Sequence, residues 1–432
     1  MKPQQFWGVV LGVLNVAVLV HQMFSTCLLS DFPSPAVVEA DLPYFRDTFA
    51  VALGLPAFGN PDLGLDERIT LQGSKLFQRF IHRSQFKQCD GAQILSLPPQ
   101  HKYGYFSQLL GISQSLLNAL AHDHVLSWSQ FQSFYVDKHR CPNRTFECYF
   151  LPITSCDLAT TKNITRRENM RNSCAFEFPQ RRMHQQPFKR NSTSDWVDVL
   201  SLLRRKSGID KLGRNDLFNP HFFSREALRF ITRPNVQLTK LTTQLLNDDF
   251  KVSNPWWRPF TFSYSRVSVH IRAGSDKAAF VGVLGPEYYS KLLERLPTRE
   301  MEVLFTSDSR EAHAAFARYL ATSTGKQGQF IAQSRFGDLV SLHGDSSLNT
   351  SFARVPETDV GMLLMAQCIV FASTDMFVGY GPSNVGATVH LLMGALRHTS
   401  RVPYLDPGGS PLATCSDFTE YPLRVIRHVE LK

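Results

Sequence analysis

From about residue 266 onward the chain alternates between two hydrophobic periods. In "VSVHIR", residues 267–272, Val267, Val269 and Ile271 fall on one face of an extended segment and His270 on the other, which is the two-residue period of a strand. The helical period takes over in "PEYYSKLLERL", with Pro286 in its first turn. The exchange then repeats: strand "EVLFTSD", helix "SREAHAAFARYLA", strand "QFIAQS", helix "DVGMLLMAQCIVFA", strand "DMFVGY" and helix "SNVGATVHLLMGAL". Strands separated by helices predict a parallel sheet with right-handed crossovers.

A shorter unit of the same kind precedes it. "AQILSL" reads as a strand and "HKYGYF" as a turn around Gly104; Leu109, Ile112, Leu116, Leu117 and Leu120 then recur at helical spacing before the strand "HVLSW". Residues 157–193 break the pattern with eight Lys or Arg and little periodicity, and read as a solvated, glycosylated basic loop. "DWVDVLSLLRRK" and "SREALRFI" resume helix, the second closing at Thr232 to Pro234. The expectation is an α/β chain of two Rossmann-like domains, 81–261 and 262–432, behind a stem at 31–80.

At the N-terminus, Phe6 to Leu29 contains no Asp, Glu, Lys or Arg. A helix needs about 20 such residues to cross a bilayer core. Two readings stand: an uncleaved signal anchor within residues 1–30, or a secretory signal peptide, and the length of the stretch favours the anchor. Either route enters the secretory pathway. Seven of the eight Cys follow this stretch, four of them, Cys141, Cys148, Cys156 and Cys174, close together, as disulfides in an oxidising lumen would be. Sequons at Asn143, Asn163, Asn191 and Asn349 agree with that compartment. The expected location is the Golgi or ER membrane, single-pass type II, with a luminal body.

A formal net charge of +9 favours anionic partners. Nucleic acid is set aside, because a luminal protein rarely meets it and no basic motif interleaved with aromatics is present. A small phosphorylated donor or an acidic membrane surface fits better. In open parallel sheets ligands bind outside the carboxyl ends of the strands. Three segments lie there: "HIRAGSDK", "FTSDS" and "GYGPSN".

Arg272 offers a planar fork for phosphate oxygens, Lys277 a mobile point charge, and Gly274 a tight bend. The bland alternative is a surface ion pair of Arg272 or Lys277 with Asp276. His270, taken alone, is a hydrogen-bonded structural histidine. Asp308 and Glu311 have the spacing of a helix cap, and Ser383 caps the helix that begins near Asn384. The turn around Ser383 and Asn384 also turns backbone N–H groups outward, which suits phosphate or sugar oxygens. No Walker sequence, GxGxxG, HExxH or CxxC occurs, and nothing demands a metal or another cofactor.

Taken in order, these motifs resemble the alpha-1,6-fucosyltransferase family, inverting enzymes that use GDP-fucose. "HIRAGSDKAAF" is similar to the family's His-Val-Arg-Arg-Thr-Asp-Lys strand end and following Ala-Ala-Phe, and "FITRPNVQL" to its helix ending in Arg-Pro, here Arg233 and Pro234. "LFTSDS" resembles its Thr-Asp-Asp turn, "DMFVGYGPSNV" its Asp-Phe-Leu-Val and Ser-Ser-Gln segment, and "CDGAQIL", "YGYFSQL" and "LPITSC" its Cys-bearing strand, Gly-containing turn and later Cys. The likeness spans roughly residues 85–425.

The resemblance implies a GT-B-like pair of domains and a metal-independent transfer of fucose to a glycan or glycoprotein hydroxyl. It implies that Arg272 holds the GDP pyrophosphate, that His270 contacts guanine, that Asp308 and Lys277 lie beside the nucleotide sugar, and that Ser383 and Asn384 approach the phosphate or fucose. Gly104 and Tyr105 would belong to a loop closing on the phosphates. It also implies a Cys89–Cys156 pair, with Cys141–Cys148 a local bridge by proximity. The sequence departs from the family where Lys277 is followed directly by Ala278 instead of Glu, where Ala273 replaces the second Arg, and where Gln367 replaces an Asp. Asp276 and Asp308 are then the candidate bases, beside Arg272 as the principal catalytic group. The family's SH3-like domain and coiled-coil stem have no counterpart in these residues. The rival readings are another nucleotide-sugar transferase and a donor- or glycan-binding protein without turnover; a homodimer is compatible with each.

Overall fold

The structure, a computed structural model, describes residues 65–87, 89, 92–97, 105–128, 131–133, 135–136, 139, 141–156, 164–166, 191–249, 266–272, 285–294, 300–307, 309–323, 329–333, 360–380, 383–397, 402 and 404–405. The stretch Phe6 to Leu29, the stem before residue 65 and most of the basic segment 157–193 lie outside them. Among the described residues no helix is long and apolar enough to cross a membrane.

Two parallel sheets organise the fold. The smaller has three strands, β1 (Ile94–Ser96), β2 (Val125–Ser127) and β3 (Ile164–Arg166), in the order β2-β1-β3. β3 falls inside the segment expected to be loop: Ile164 and Thr165, both β-branched, pair with Ile94 and Leu95 along the open side of β1. The larger sheet contains β4 (Arg266–Ile271), β5 (Glu300–Ser307), β6 (Gln329–Gln333), β7 (Met376–Gly379) and β8 (Tyr404–Leu405), all parallel, in the order β6-β5-β4-β7-β8. Chain order therefore reverses between β4 and β7, the topological switch point of a doubly wound sheet.

Nine helices are described: α1 (Leu65–Gln85), α2 (Tyr105–Ala121), α3 (Asn191–Ser207), α4 (Pro220–Ile231), α5 (Val236–Asp249), α6 (Pro286–Glu294), α7 (Arg310–Ser323), α8 (Val360–Ala372) and α9 (Asn384–Arg397). α4 starts four residues earlier than its periodicity indicates, because Asn219 accepts a hydrogen bond from Phe222 N at 3.1 Å and Pro220 takes the first helical position. α7 is capped by Ser309, whose Oγ accepts from Ala312 N at 3.3 Å and donates to Glu311 at 2.7 Å; the expected cap, Asp308, lies outside the described residues.

α1, in the stretch expected to be stem, is tied into the core. Phe77 and Ile81 are fully buried, and Glu226 of α4, itself buried, accepts from Ser74 Oγ at 2.8 Å and from Gln78 Nε2 at 3.0 Å. α1 also carries Gly73 against the ring of Phe218, too close for any side chain.

The expected boundary at residue 262 lies outside the described residues. Among the described residues one hydrophobic cluster runs from Phe77, Leu109, Trp128 and Phe223 to Met365, Phe377 and Val389. α8, apolar around its whole circumference, packs on α5 and α9, and α9 packs on α4 and α2. Both faces of the larger sheet are thus covered: Val267, Val269, Val303, Phe305, Met376 and Val378 face Tyr289, Phe316 and Leu320 of α6 and α7, while Leu304 and Phe377 face the shared cluster.

Candidate functional site

β4 alternates strictly. Its odd residues enter the α6–α7 core, so Ser268 and His270 turn to the face that carries Leu304 and Phe377. Ser268 is absorbed by structure: its hydroxyl lies 2.7 Å from that of Thr374 and 3.1 Å from the carbonyl of Phe371 at the end of α8. His270, two residues nearer the carboxyl end, sits between Thr306 of β5 and Gly379 of β7. It is 6% exposed, and among the described residues its Nδ1 has no hydrogen-bond partner. Burial, reinforced by the neighbouring charge of Arg272, pushes its pKa down to about 3, so the imidazole is neutral.

Arg272 follows directly at the strand's end, half-buried, its backbone N–H donating to the phenol of Tyr289 at 3.2 Å. Tyr289 is fully buried on α6, which fixes where the chain leaves the sheet. Across the switch point, β7 ends at Gly379, whose carbonyl accepts from Tyr404 Oη at 2.6 Å. The chain then turns into α9. Ser383 takes the N-cap position, its N–H donating to Tyr380 O and its carbonyl accepting from Ala387 N, each at 3.0 Å.

Asn384 makes the link between the two halves. Its side-chain amide donates to Ser107 Oγ in the first turn of α2 at 2.9 Å, so the heads of α2 and α9 meet beside the carboxyl ends of β4 and β7. Neither helix has an acidic residue in its first turn, so each head presents the positive end of its dipole there. This commits the Asn384 amide nitrogen to positioning the helix heads.

His270, Arg272, Ser383 and Asn384 are thus brought to one end of one sheet. Tyr105, expected in the closing loop, is instead the first residue of α2 and 2% exposed, its ring edge-on to Phe106, Tyr135 and Phe146. An aromatic ring enclosed on three sides belongs to the core. Gly104, Gly274, Asp276, Lys277 and Asp308 lie outside the described residues. Arg233 works as a clamp: it donates to the carbonyls of Phe230 at 2.9 Å and Pro152 at 2.8 Å, and Pro234 bridges to Phe150, which anchors the segment leading to Cys156. Cys89 and Cys156 are joined with Cα atoms 5.4 Å apart, and Cys141 and Cys148 with Cα atoms 6.2 Å apart. Gln367 is buried on α8, and Cys368 beside it is a buried free thiol whose pKa burial raises. Among the described residues no three His, Cys, Asp or Glu side chains group as metal ligands.

Sequence reasoning passed over Ser107 and Thr306. Thr306 carried no signal of its own: it follows Glu302 and Leu304 on the mixed face of "EVLFTSD", opposite Val303 and Phe305.

No family model matches the chain, and no curated protein matches it in sequence. Among solved structures it is similar to a point mutant of Arabidopsis thaliana FUT1 in complex with GDP, at 12% identity and a TM-score of 0.39, over 84% of this chain and 78% of that one. It is also similar to NodZ alpha-1,6-fucosyltransferase soaked with GDP-fucose, at 13% identity and a TM-score of 0.34, over 70% of this chain and 92% of that one.

Proposed function

We propose that the chain is a nucleotide-sugar glycosyltransferase and, more finely, that it transfers fucose from GDP-fucose to a hydroxyl of a glycan or glycoprotein, with inversion and without a metal. One observation carries the reading: Arg272 leaves β4 at the switch point where the heads of α2 and α9 are joined through Asn384 and Ser107. Two helix N-termini and a guanidinium together favour a multiply charged anion such as a diphosphate. The motifs that resemble the fucosyltransferase family add the donor's identity to that proposal.

In this reading the bond from the anomeric carbon to the diphosphate breaks as the acceptor oxygen attacks the opposite face. Negative charge grows on the departing diphosphate, and donors already in place stabilise it. That role is assigned to Arg272, the helix heads and Lys277. The acceptor proton goes to Asp276 or Asp308. The body would act in the Golgi or ER lumen, held by the N-terminal anchor.

A second reading is favoured by one feature of the sequence, the direct step from Lys277 to Ala278 where the resemblance places a Glu. A chain without that base would bind a nucleotide sugar and release no product. Thermal shift and product release, measured on the full chain with a panel of nucleotide sugars, separate the cases. Stabilisation by GDP and GDP-fucose with fucose transfer, both lost in Arg272→Ala, is the expected result. Stabilisation by GDP with no turnover on any acceptor supports the binding protein, and stabilisation by UDP alone supports a different transferase. Unchanged GDP affinity in Arg272→Ala overturns the assignment of the diphosphate.

A further inference from the structure

His270 and Thr306 are register partners on adjacent parallel strands, so their side chains stand on the same face, on strands about 4.8 Å apart. Both are buried, at 6% and 5% exposure, and among the described residues His270 Nδ1 and Thr306 Oγ1 have no hydrogen-bond partner. The nearest polar residue on that face, Ser268, is by contrast saturated by Thr374, Phe371 and Met376. Leaving a buried polar atom unpaired destabilises a fold. Two such atoms side by side, near the carboxyl ends of β4 and β5, are therefore read as a place for a ligand's own polar group.

The chemistry of that group follows from the pair. The imidazole is neutral and the hydroxyl is neutral, so neither answers the charge of a diphosphate, which Arg272 at the strand's end is placed to do. Between them they offer a hydroxyl that donates and accepts and a ring nitrogen that does one or the other. We infer that Thr306, acting with His270, is a specificity-determining residue that receives an uncharged hydrogen-bonding group of the nucleotide, from the edge of the base or from a ribose hydroxyl. This rests on the nucleotide reading of the site and adds a residue that the motifs do not single out.

The test measures equilibrium binding of GDP, IDP, 7-deaza-GDP and 2′-deoxy-GDP to the full chain, wild type and Thr306→Val, with Thr306→Ser as the variant that keeps the hydroxyl. Thr306→Val should weaken GDP binding by about 5- to 150-fold, the cost of leaving one buried partner unsatisfied, and Thr306→Ser should stay within about threefold of wild type. The analogue that lacks the partner group should bind wild type as weakly as GDP binds the valine variant and lose nothing further in that variant. For 2′-deoxy-GDP this assigns the ribose; for IDP or 7-deaza-GDP it assigns the base. Additive losses for every analogue, or GDP affinity unchanged in Thr306→Val while Arg272→Ala loses it, overturn the inference and leave the proposed function standing. A wild-type chain that binds no nucleotide overturns both.

Discussion

Asn384 Nδ2 and Ser107 Oγ, 277 positions apart in sequence, are joined by a partly buried hydrogen bond of 2.9 Å that ties the first turn of α9 to the first turn of α2. Each residue alone would present an ordinary polar side chain at a helix head. A double-mutant cycle of Asn384→Ala and Ser107→Ala, read by urea unfolding, should give a coupling energy of about 1 kcal/mol, the usual net value of such a bond. A coupling of zero would reduce the link to a surface contact and remove the convergence of the two helix heads as an argument.

Two imidazoles make stability depend on acid. His270 and His390 are buried, and desolvation holds both near a pKa of about 3, with Arg272 adding to it at His270 and His221 and Arg225 at His390. The unfolded chain takes up protons on both below about pH 6.5, while the folded chain does not until about pH 3. Stability is therefore complete above about pH 6.5 and falls as pH drops toward 3, by about 2 kcal/mol per histidine at pH 5. Among the described residues neither His390 ring nitrogen has a hydrogen-bond partner, so His390→Leu should flatten the loss between pH 7 and pH 5 by about 2 kcal/mol without lowering stability at pH 7. Urea unfolding at the two pH values measures this, and an unchanged slope would place the titration elsewhere.

Glu226 holds α1 to α4 from inside the core. Its carboxylate is fully buried and is met by Arg225 Nε at 3.1 Å, Arg229 Nη1 at 3.5 Å, Ser74 and Gln78. Removing one partner of a buried ion pair leaves the others uncompensated, which destabilises by about 3–5 kcal/mol. Glu226→Ala should fall in that range in chemical denaturation, with Glu226→Gln, which still accepts from Ser74, in between. A loss under 1 kcal/mol would show that the network adds nothing beyond the packing of Phe77 and Ile81.

The larger sheet was legible in the sequence because β4, β5 and β7 each have a buried face and α6 and α7 each bury a stripe against it. "VSVHIR" and "DMFVGY" need only the alternation of Val267, Val269, Met376 and Val378 to be recognised. The two-residue β8 and three-residue β3 are too short for any period to register. α1 resembles stem because what secures it, the contact of Ser74 and Gln78 with Glu226 about 150 positions away, is tertiary. The neighbours of α8 were hidden for a related reason: a helix apolar all round states that it is buried but not against what. Arg272 stands out as a candidate by strand position alone, while Thr306 looks like any strand threonine until its register partner and its unpaired hydroxyl among the described residues are seen. For Tyr105 the glycine before it suggests a loop, and only packing shows the ring enclosed in the first turn of α2.

The two disulfides differ most in what they constrain. Cys89–Cys156 spans 67 positions and lies under the smaller sheet beside Ala92, Ile94 and Val125, whereas Cys141–Cys148 spans 7. A cross-link stabilises largely by shrinking the unfolded ensemble, and the chain-entropy relation gives about 4 kcal/mol for the long loop and about 2 kcal/mol for the short one. Cys89→Ala/Cys156→Ala should therefore lower the unfolding free energy about twice as much as Cys141→Ala/Cys148→Ala, measured by denaturant unfolding of each double variant. The long bridge also fixes the segment clamped by Arg233 to the start of β1, so its loss should loosen the smaller sheet first. Hydrogen exchange at Leu95, Leu97 and Leu126 reads that directly, and equal losses for the two pairs, with exchange unchanged at those amides, would contradict the entropic account.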